Sequence, residues 1–169
     1  MSERFNARVR LMNAGDLEQI LFWRNHPKIR HYMYAQHEIS IEEHTGWFVQ
    51  ASNDPGRHLL IFEIDEAPLG FINIHQLSSG DIGKWGFYTA PHAPKGTGQS
   101  LGQTALRYAF QIARFGKLCA QVIAFNQRSI NLHIKLGFKR EGLLRQQHFD
   151  GREHHDIVCF GLDAEEWHH

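Results

Sequence analysis

Charge of one sign is what this sequence most lacks: eighteen Lys and Arg side chains are matched by eighteen Asp and Glu. With no net field to steer the whole molecule onto nucleic acid or an anionic membrane, recognition has to come from a local pocket. No run approaches the ~20 apolar residues a membrane span requires, and no N-terminal segment joins basic residues to an apolar stretch. A soluble cytoplasmic protein is the expectation, without nucleic-acid or membrane partners. Cysteine is scarce too: Cys119 and Cys159 each sit in an apolar strand-like segment without metal-ligand or redox spacing, which predicts buried reduced thiols. Internal repeats, linkers and low-complexity tracts are also missing.

What is present suffices for one domain spanning residues 1–169, with 42% hydrophobic and 12% aromatic content. Thirteen histidines are many. His154-His155-Asp156 raises the question of a metal, but adjacent strand residues point to opposite faces, so no metal is expected.

The organising stretch runs from Trp85 to Phe138. A strand ending in Trp85-Gly86-Phe87-Tyr88-Thr89 leads into Pro94-Lys95-Gly96-Thr97-Gly98-Gln99-Ser100, a glycine-rich turn opening a helix. Unpaired first-turn N–H groups and the positive end of the helix dipole make such a turn a phosphate holder. From Gln99 to Phe115, Leu101, Ala105, Leu106, Tyr108, Ala109, Ile112 and Ala113 gather on one side, as an amphipathic helix on a sheet requires, and Gly102 falls on that side and permits close helix–sheet approach. A strand from Leu118 to Phe125 follows, implying a right-handed parallel crossover. A short helix from about Arg128 to Leu136 ends at Gly137 and carries Leu132, Leu136, Ser129, His133, Ile130 and Ile134 on one arc, with Asn131 and Lys135 opposite.

Upstream, Val9 to Met12 reads as a strand and Asn13 as the cap of a helix that Pro27 stops. The segment from Arg24 to Tyr34 mixes cationic, aromatic and thioether side chains without a period; it is either an irregular surface helix or a wall of a substrate pocket. Ser40-Ile41-Glu42-Glu43 fits a capping box for a helix carrying His44, Trp47 and Phe48, where His44 and Trp47 are either a packing pair or ligand contacts. His58 to Ile64 and Leu69 to His75 form a hairpin, and a third strand, Ile82 to Thr89, follows the Ser78-Ser79-Gly80-Asp81 turn. Phe71, Asn73 and His75 share one face of the middle strand. Lys139 to Phe149 and His154 to Leu162 form a closing hairpin around Asp150-Gly151.

With these residues in view, the chain resembles the GNAT acyl-CoA N-acyltransferases over essentially its whole length. Lys95-Gly96-Thr97-Gly98 and the stretch from Asn126 to Phe138 carry the likeness. The resemblance implies an α/β fold of GNAT type: a mixed central sheet splayed between two parallel strands, with helices on both faces. It implies acetyl-CoA as cosubstrate, with pantetheine pairing with backbone near Tyr88 and Thr89. The pyrophosphate would lie on the N–H groups of Lys95, Gly96, Thr97, Gly98, Gln99, Ser100 and Leu101, the cofactor arm against Asn126 and Ser129, and the 3′-phosphate within reach of Lys135. Ala93 stands where relatives often have Arg or Gln.

The chemistry needs a neutral amine, a stabilised tetrahedral oxyanion near the Tyr88 N–H, and a proton for the departing thiolate. Relatives often place a Tyr acid where this chain has His133, so His133 is the expected acid. Some carry a Glu base where this chain has Gln121, so His75, or water ordered by Asn73 and His75, is expected to take the proton. Within the family, the N-terminal part is similar to the sugar-nucleotide N-acetyltransferases of pseudaminic acid biosynthesis, through Trp23-Arg24-Asn25-His26-Pro27, Ile29-Arg30 with Met33, and Glu43-His44 with Trp47. That likeness implies the 4-amine of UDP-4-amino-4,6-dideoxy-N-acetyl-β-L-altrosamine as acceptor. Met33 and Trp47 would pack on the sugar, His44 and Asn73 would line the site, and Arg24 or Arg30 would pair with the diphosphate. The alternatives are a ribosomal-protein or peptide Nα-acetyltransferase and a catalytically silent CoA-binding module. A monomer or homodimer is expected.

Overall fold

In the computed structural model, which describes residues 5–78 and 80–168, two apolar layers form around one sheet of order β1-β2-β3-β4-β5-β7-β6. The strands are β1 (Ala7–Leu11), β2 (Arg57–Ile64), β3 (Ala67–Gln76), β4 (Ile82–Thr89), β5 (Lys117–Ile123), β6 (Lys139–Phe149) and β7 (His154–Asp163). The helices are α1 (Leu17–Asn25), α2 (Pro27–Arg30), α3 (Ile41–Ser52), α4 (Thr97–Arg107) and α5 (Gln127–Lys135). Ser79, in the expected turn before β4, lies outside the described residues. Among the described residues no helix is long and apolar enough to cross a membrane.

The continuous apolar run Leu59-Leu60-Ile61-Phe62 in β2 has a plain cause: successive side chains point to opposite faces, and both faces are covered. Leu60 and Phe62 join Ile72, Ile74 and Trp85 against Leu101, Ala105, Leu106 and Ala109 of the α4 segment. Leu59 and Ile61 join Phe71 against Ile20 and Trp23 of α1 and Ala51 of α3. The β2–β3 turn is tight, with Asp65 and Glu66 both at positive φ (50° and 68°), as a two-residue hairpin turn following the strand twist requires.

The parallel pairing of β4 with β5 covers only Ile82, Gly83 and Lys84 against Lys117, Leu118 and Cys119. Beyond it β5 stays with β7, from Lys117↔Asp163 to Ile123↔Ile157, while β4 stays with β3 up to Thr89. The two strands therefore diverge into a V that opens toward Thr89 and Asn126.

Some local expectations are corrected. The long helix does not run evenly to Phe115: Tyr108–Ile112 forms a π-turn, closed by the Ala113 N–H on the Tyr108 carbonyl at 2.9 Å. The wider turn leaves Ala109 and Phe110 buried together while the Tyr108 hydroxyl meets His58 Nδ1 at 2.8 Å. Gly102 serves helix–helix contact instead of helix–sheet contact, since a Cβ there would lie 2.5 Å from Leu136 Cδ1 at the end of α5; the close sheet approach is at Gly70, under Leu101. Only half of the expected capping box forms at α3: Ser40 Oγ accepts from the Glu43 N–H at 3.1 Å, while the Glu43 carboxylate faces His37. Ile134 is exposed, so the buried arc of α5 is narrower than its wheel suggests. Cys119 and Cys159 are free but only half-buried.

Candidate active site

A cavity of about 550 Å³ fills the V, walled by β3, β4, β5, α5 and the segment from Lys28 to Tyr34. That segment is thus both a short helix and a wall, which unites the two readings of its sequence.

One end suits phosphates. Gly96 precedes α4 at φ +91°, a left-handed backbone that side chains resist. The Thr97 and Ser100 N–H groups are used by the Pro94 and Gly96 carbonyls, at 3.2 and 3.3 Å. Among the described residues no carbonyl takes the Gly98 or Gln99 N–H, and Gly98 lines the cavity. These are orphan donors at the positive end of an eleven-residue helix, so the residues fit an anionic cofactor head. Thr97 itself is buried with its hydroxyl on the Pro94 carbonyl, Leu101 is core, and Lys95 and Lys135 are exposed outside the cavity wall. Tyr88, Thr89, Asn126 and Ser129 all line the cavity, with Asn126 Oδ1 capping α5 through the Ser129 N–H at 3.2 Å.

His133 lines the same space but does not fit the acid role expected of it. The ring is 3% exposed, stacked on Phe160 and edge-on to Trp85 and Phe138. Trp85 Nε1, which can only donate, lies 3.1 Å from His133 Nε2, so Nε2 carries no proton. His133 Nδ1 then holds the single proton and donates it to the Ser129 carbonyl at 2.8 Å. Burial pushes the imidazole's pKa down, reinforcing the neutral form. A proton could reach a thiolate only by breaking the bond to Ser129. His133→Ala should therefore lower folding stability by about 2–4 kcal/mol, the order expected for emptying a buried ring site, and His133→Phe should keep most turnover. A drop in turnover of three orders of magnitude with unchanged stability would restore the acid role.

The other wall carries a different chemistry. Phe71, Asn73 and His75 of β3 all face the cavity, beside Tyr88, Gly86 and Lys84 of β4, their register partners. Asn73 Oδ1 is buried without a partner, an acceptor aimed at a space where a donor belongs. Gln121 Oε1 accepts from Lys84 Nζ at 3.1 Å and lies 3.4 Å from the Tyr34 hydroxyl, so the position where some relatives have a basic carboxylate is instead a neutral bridge. Met33 is in the wall.

The remaining expected substrate contacts lie elsewhere. Arg24 is not among the cavity-lining residues: it donates from Nη2 to the Ala35 carbonyl at 2.7 Å, its Nη1 is buried without a partner among the described residues, and burial lowers its pKa. Arg30 does not reach the cavity. His44 is 4% exposed, with Nε2 3.0 Å from the Leu17 carbonyl and its ring stacked on Trp47, so it is a packed core histidine. Trp47 packs edge-on against Phe71, ring centroids 5.9 Å apart, and is not among the cavity-lining residues. Among the described residues, the cations that do line the cavity are Lys28, Arg57, Lys84 and Arg128, and no Asp or Glu lines it. Residue type alone gave no signal for them, since each reads as an ordinary surface charge.

Residues 7–139 match the acetyltransferase (GNAT) domain family. Over 123 residues the chain is 30% identical to the acetyltransferase PseH of a Campylobacter jejuni strain, covering 72% of this chain and 76% of that one. It is 38% identical over 88 residues, half of each chain, to an uncharacterized prophage-derived N-acetyltransferase, YokL, of Bacillus subtilis. Among solved structures, the spermidine N-acetyltransferase of Vibrio cholerae in complex with CoA and spermine superposes with a TM-score of 0.87 at 21% identity, covering 95% of this chain and 96% of that one. At that identity the likeness is one of fold.

Proposed function

Because the chain belongs to the GNAT acetyltransferase family and is an acyltransferase, we propose that it transfers acetyl from acetyl-CoA to the amine of a nucleotide-linked sugar, the 4-amine of UDP-4-amino-4,6-dideoxy-N-acetyl-β-L-altrosamine. The observation that carries this reading is the cavity lining: among the described residues, four cationic side chains and no carboxylate. A polyamine acceptor would meet like charge throughout, and a cationic peptide N-terminus would find no acidic partner. A sugar nucleotide brings a negative diphosphate and a methyl-bearing ring, which the cations, Met33 and Phe71 suit. The similarity to PseH and to the sugar-nucleotide branch of the family points the same way.

The residues divide the work. Gly98 and Gln99 N–H groups hold the cofactor's phosphates, and Asn126 and Ser129 border its arm. Acetyl-CoA, when bound, supplies an acetyl group activated as a thioester. Asn73 Oδ1 accepts a hydrogen bond from the acceptor amine and points its lone pair at the carbonyl. His75 is the imidazole on this wall with no hydrogen bond among the described residues, and it takes the ammonium proton directly or through water. The Tyr88 N–H side of β4 faces the developing oxyanion. With a thiol leaving group of pKa ~8.5, departure as thiolate needs little help, so the loss of an acid at position 133 is tolerable.

A panel of amines incubated with acetyl-CoA, read by product mass and free-thiol release, tests the assignment. Acetylation of the UDP-linked 4-amino sugar, with ribosomal-protein N-terminal peptides untouched, is the expected result. Tight acetyl-CoA binding with no turnover on any amine would mean a silent module.

A further inference from the structure

Arg57, His75 and Lys84 lie side by side across three adjacent strands. The pairs Arg57↔His75 and His75↔Lys84 are in direct register, and cross-strand partners in an antiparallel sheet project from the same face. All three side chains line the cavity, each half-buried. Lys84 has no ion-pair partner among the described residues, its ammonium being held by the neutral Gln121 Oε1 at 3.1 Å. Among the described residues Arg57 has only a long ion-pair contact, 3.6 Å to a partly exposed Asp54. Two cations facing one pocket with so little counter-charge need an anion.

We propose that Arg57 and Lys84, flanking His75, form the subsite for the phosphates of a nucleoside-diphosphate-linked acceptor. This rests on the acceptor reading above and replaces Arg24 and Arg30 as the groups that bind the diphosphate. CoA also carries phosphates, but its cradle lies at the other end of the strand: Lys84 is five residues before Thr89, a rise of ~17 Å, and the Gly96 to Gln99 turn follows Thr89. Lys84 also shares its face with Gly86 and Tyr88, the face of Asn73, while Trp85 and Phe87 point toward α5. The placement orders the acceptor along β3, with the amine at Asn73 and the phosphates beyond His75. Arg57 supplies a planar fork for two phosphate oxygens and Lys84 a point charge.

The test is calorimetric titration of UDP into the full-length protein saturated with CoA, for the wild type, Arg57→Gln, Lys84→Met and the double variant. UDP should bind the CoA-loaded wild type, each single variant should weaken it roughly tenfold and the double variant about a hundredfold. Affinity for CoA and the thermal midpoint should stay unchanged, and Lys84→Arg should recover most of the loss. UDP binding that survives in the double variant would overturn the subsite and leave the acceptor reading standing. Binding of UDP that saturating CoA abolishes would also overturn it, by assigning the row to the cofactor's phosphates. A wild type that binds neither UDP nor the amino-sugar nucleotide would remove the acceptor reading together with the subsite.

Discussion

Gly98→Trp should weaken acetyl-CoA binding by at least about a hundredfold, ~2.7 kcal/mol, while leaving the protein folded. The position lines the cavity at the N-terminus of α4, where the Gly98 and Gln99 N–H groups lack carbonyl partners among the described residues. A Cβ here already approaches Leu132 Cδ2 at 3.3 Å, so an indole has to turn into the space the phosphates would use. Gly98→Ala provides the graded control, since a methyl group needs only a small shift of one flexible leucine. Calorimetry showing unaltered affinity in Gly98→Trp, with an unaltered melting temperature, would sink the placement of the cofactor.

The second large effect concerns stability. Arg10 forms a bidentate pair with Asp16, both contacts at 2.8 Å, and also bonds Glu63, which Arg8, two residues earlier on the same face of β1, meets at 3.0 Å. Asp16 and Glu63 are 7% and 4% exposed, so their charge is tolerable only with these partners. Arg10→Met should cost about 3–5 kcal/mol in urea unfolding at neutral pH, because it strands buried carboxylates. Hydrogen bonding to Arg10 holds the Asp16 carboxyl below its ordinary range; the Glu63 carboxyl, raised by burial, is drawn below its own by Arg10 and Arg8. Groups with depressed folded-state pKa values stabilise the fold above their unfolded pKa, ~3.9 for Asp and ~4.3 for Glu, and that contribution fades as pH falls through the folded values. The wild type should thus lose stability on acidification below about pH 4, and Arg10→Met should lose less over the same range. A variant within 1 kcal/mol of wild type at neutral pH would show that water already solvates this cluster.

What could be read from the sequence was what backbone geometry dictates locally. Lys95 to Gly98 and Asn126 to Gly137 were legible because a phosphate turn, an N-cap and a left-handed helix stop are each decided within a few residues. The strand alternation of Phe71, Asn73 and His75 was legible for the same reason. The role of His133 was not, because its tautomer is set by Trp85 Nε1, a partner far away on β4. Nor was the basic row, since Arg57, His75 and Lys84 become neighbours only through the register of three strands. Arg24 differs in the opposite sense: a cation in an unusual segment looks ligand-directed, yet its guanidinium donates from Nη2 to the Ala35 carbonyl and does not line the cavity.

The sign of the acceptor's charge decides between a sugar nucleotide and a polyamine, and a direct competition measures it. The UDP-linked 4-amino sugar and spermidine, at equal concentration in one reaction with limiting acetyl-CoA, should give acetylated sugar nucleotide in excess by about a hundredfold, ~2.7 kcal/mol of discrimination. Acetylated spermidine as the main product would contradict it, because a polycation would then have been preferred in a cavity that, among the described residues, is lined by four cations and no carboxylate.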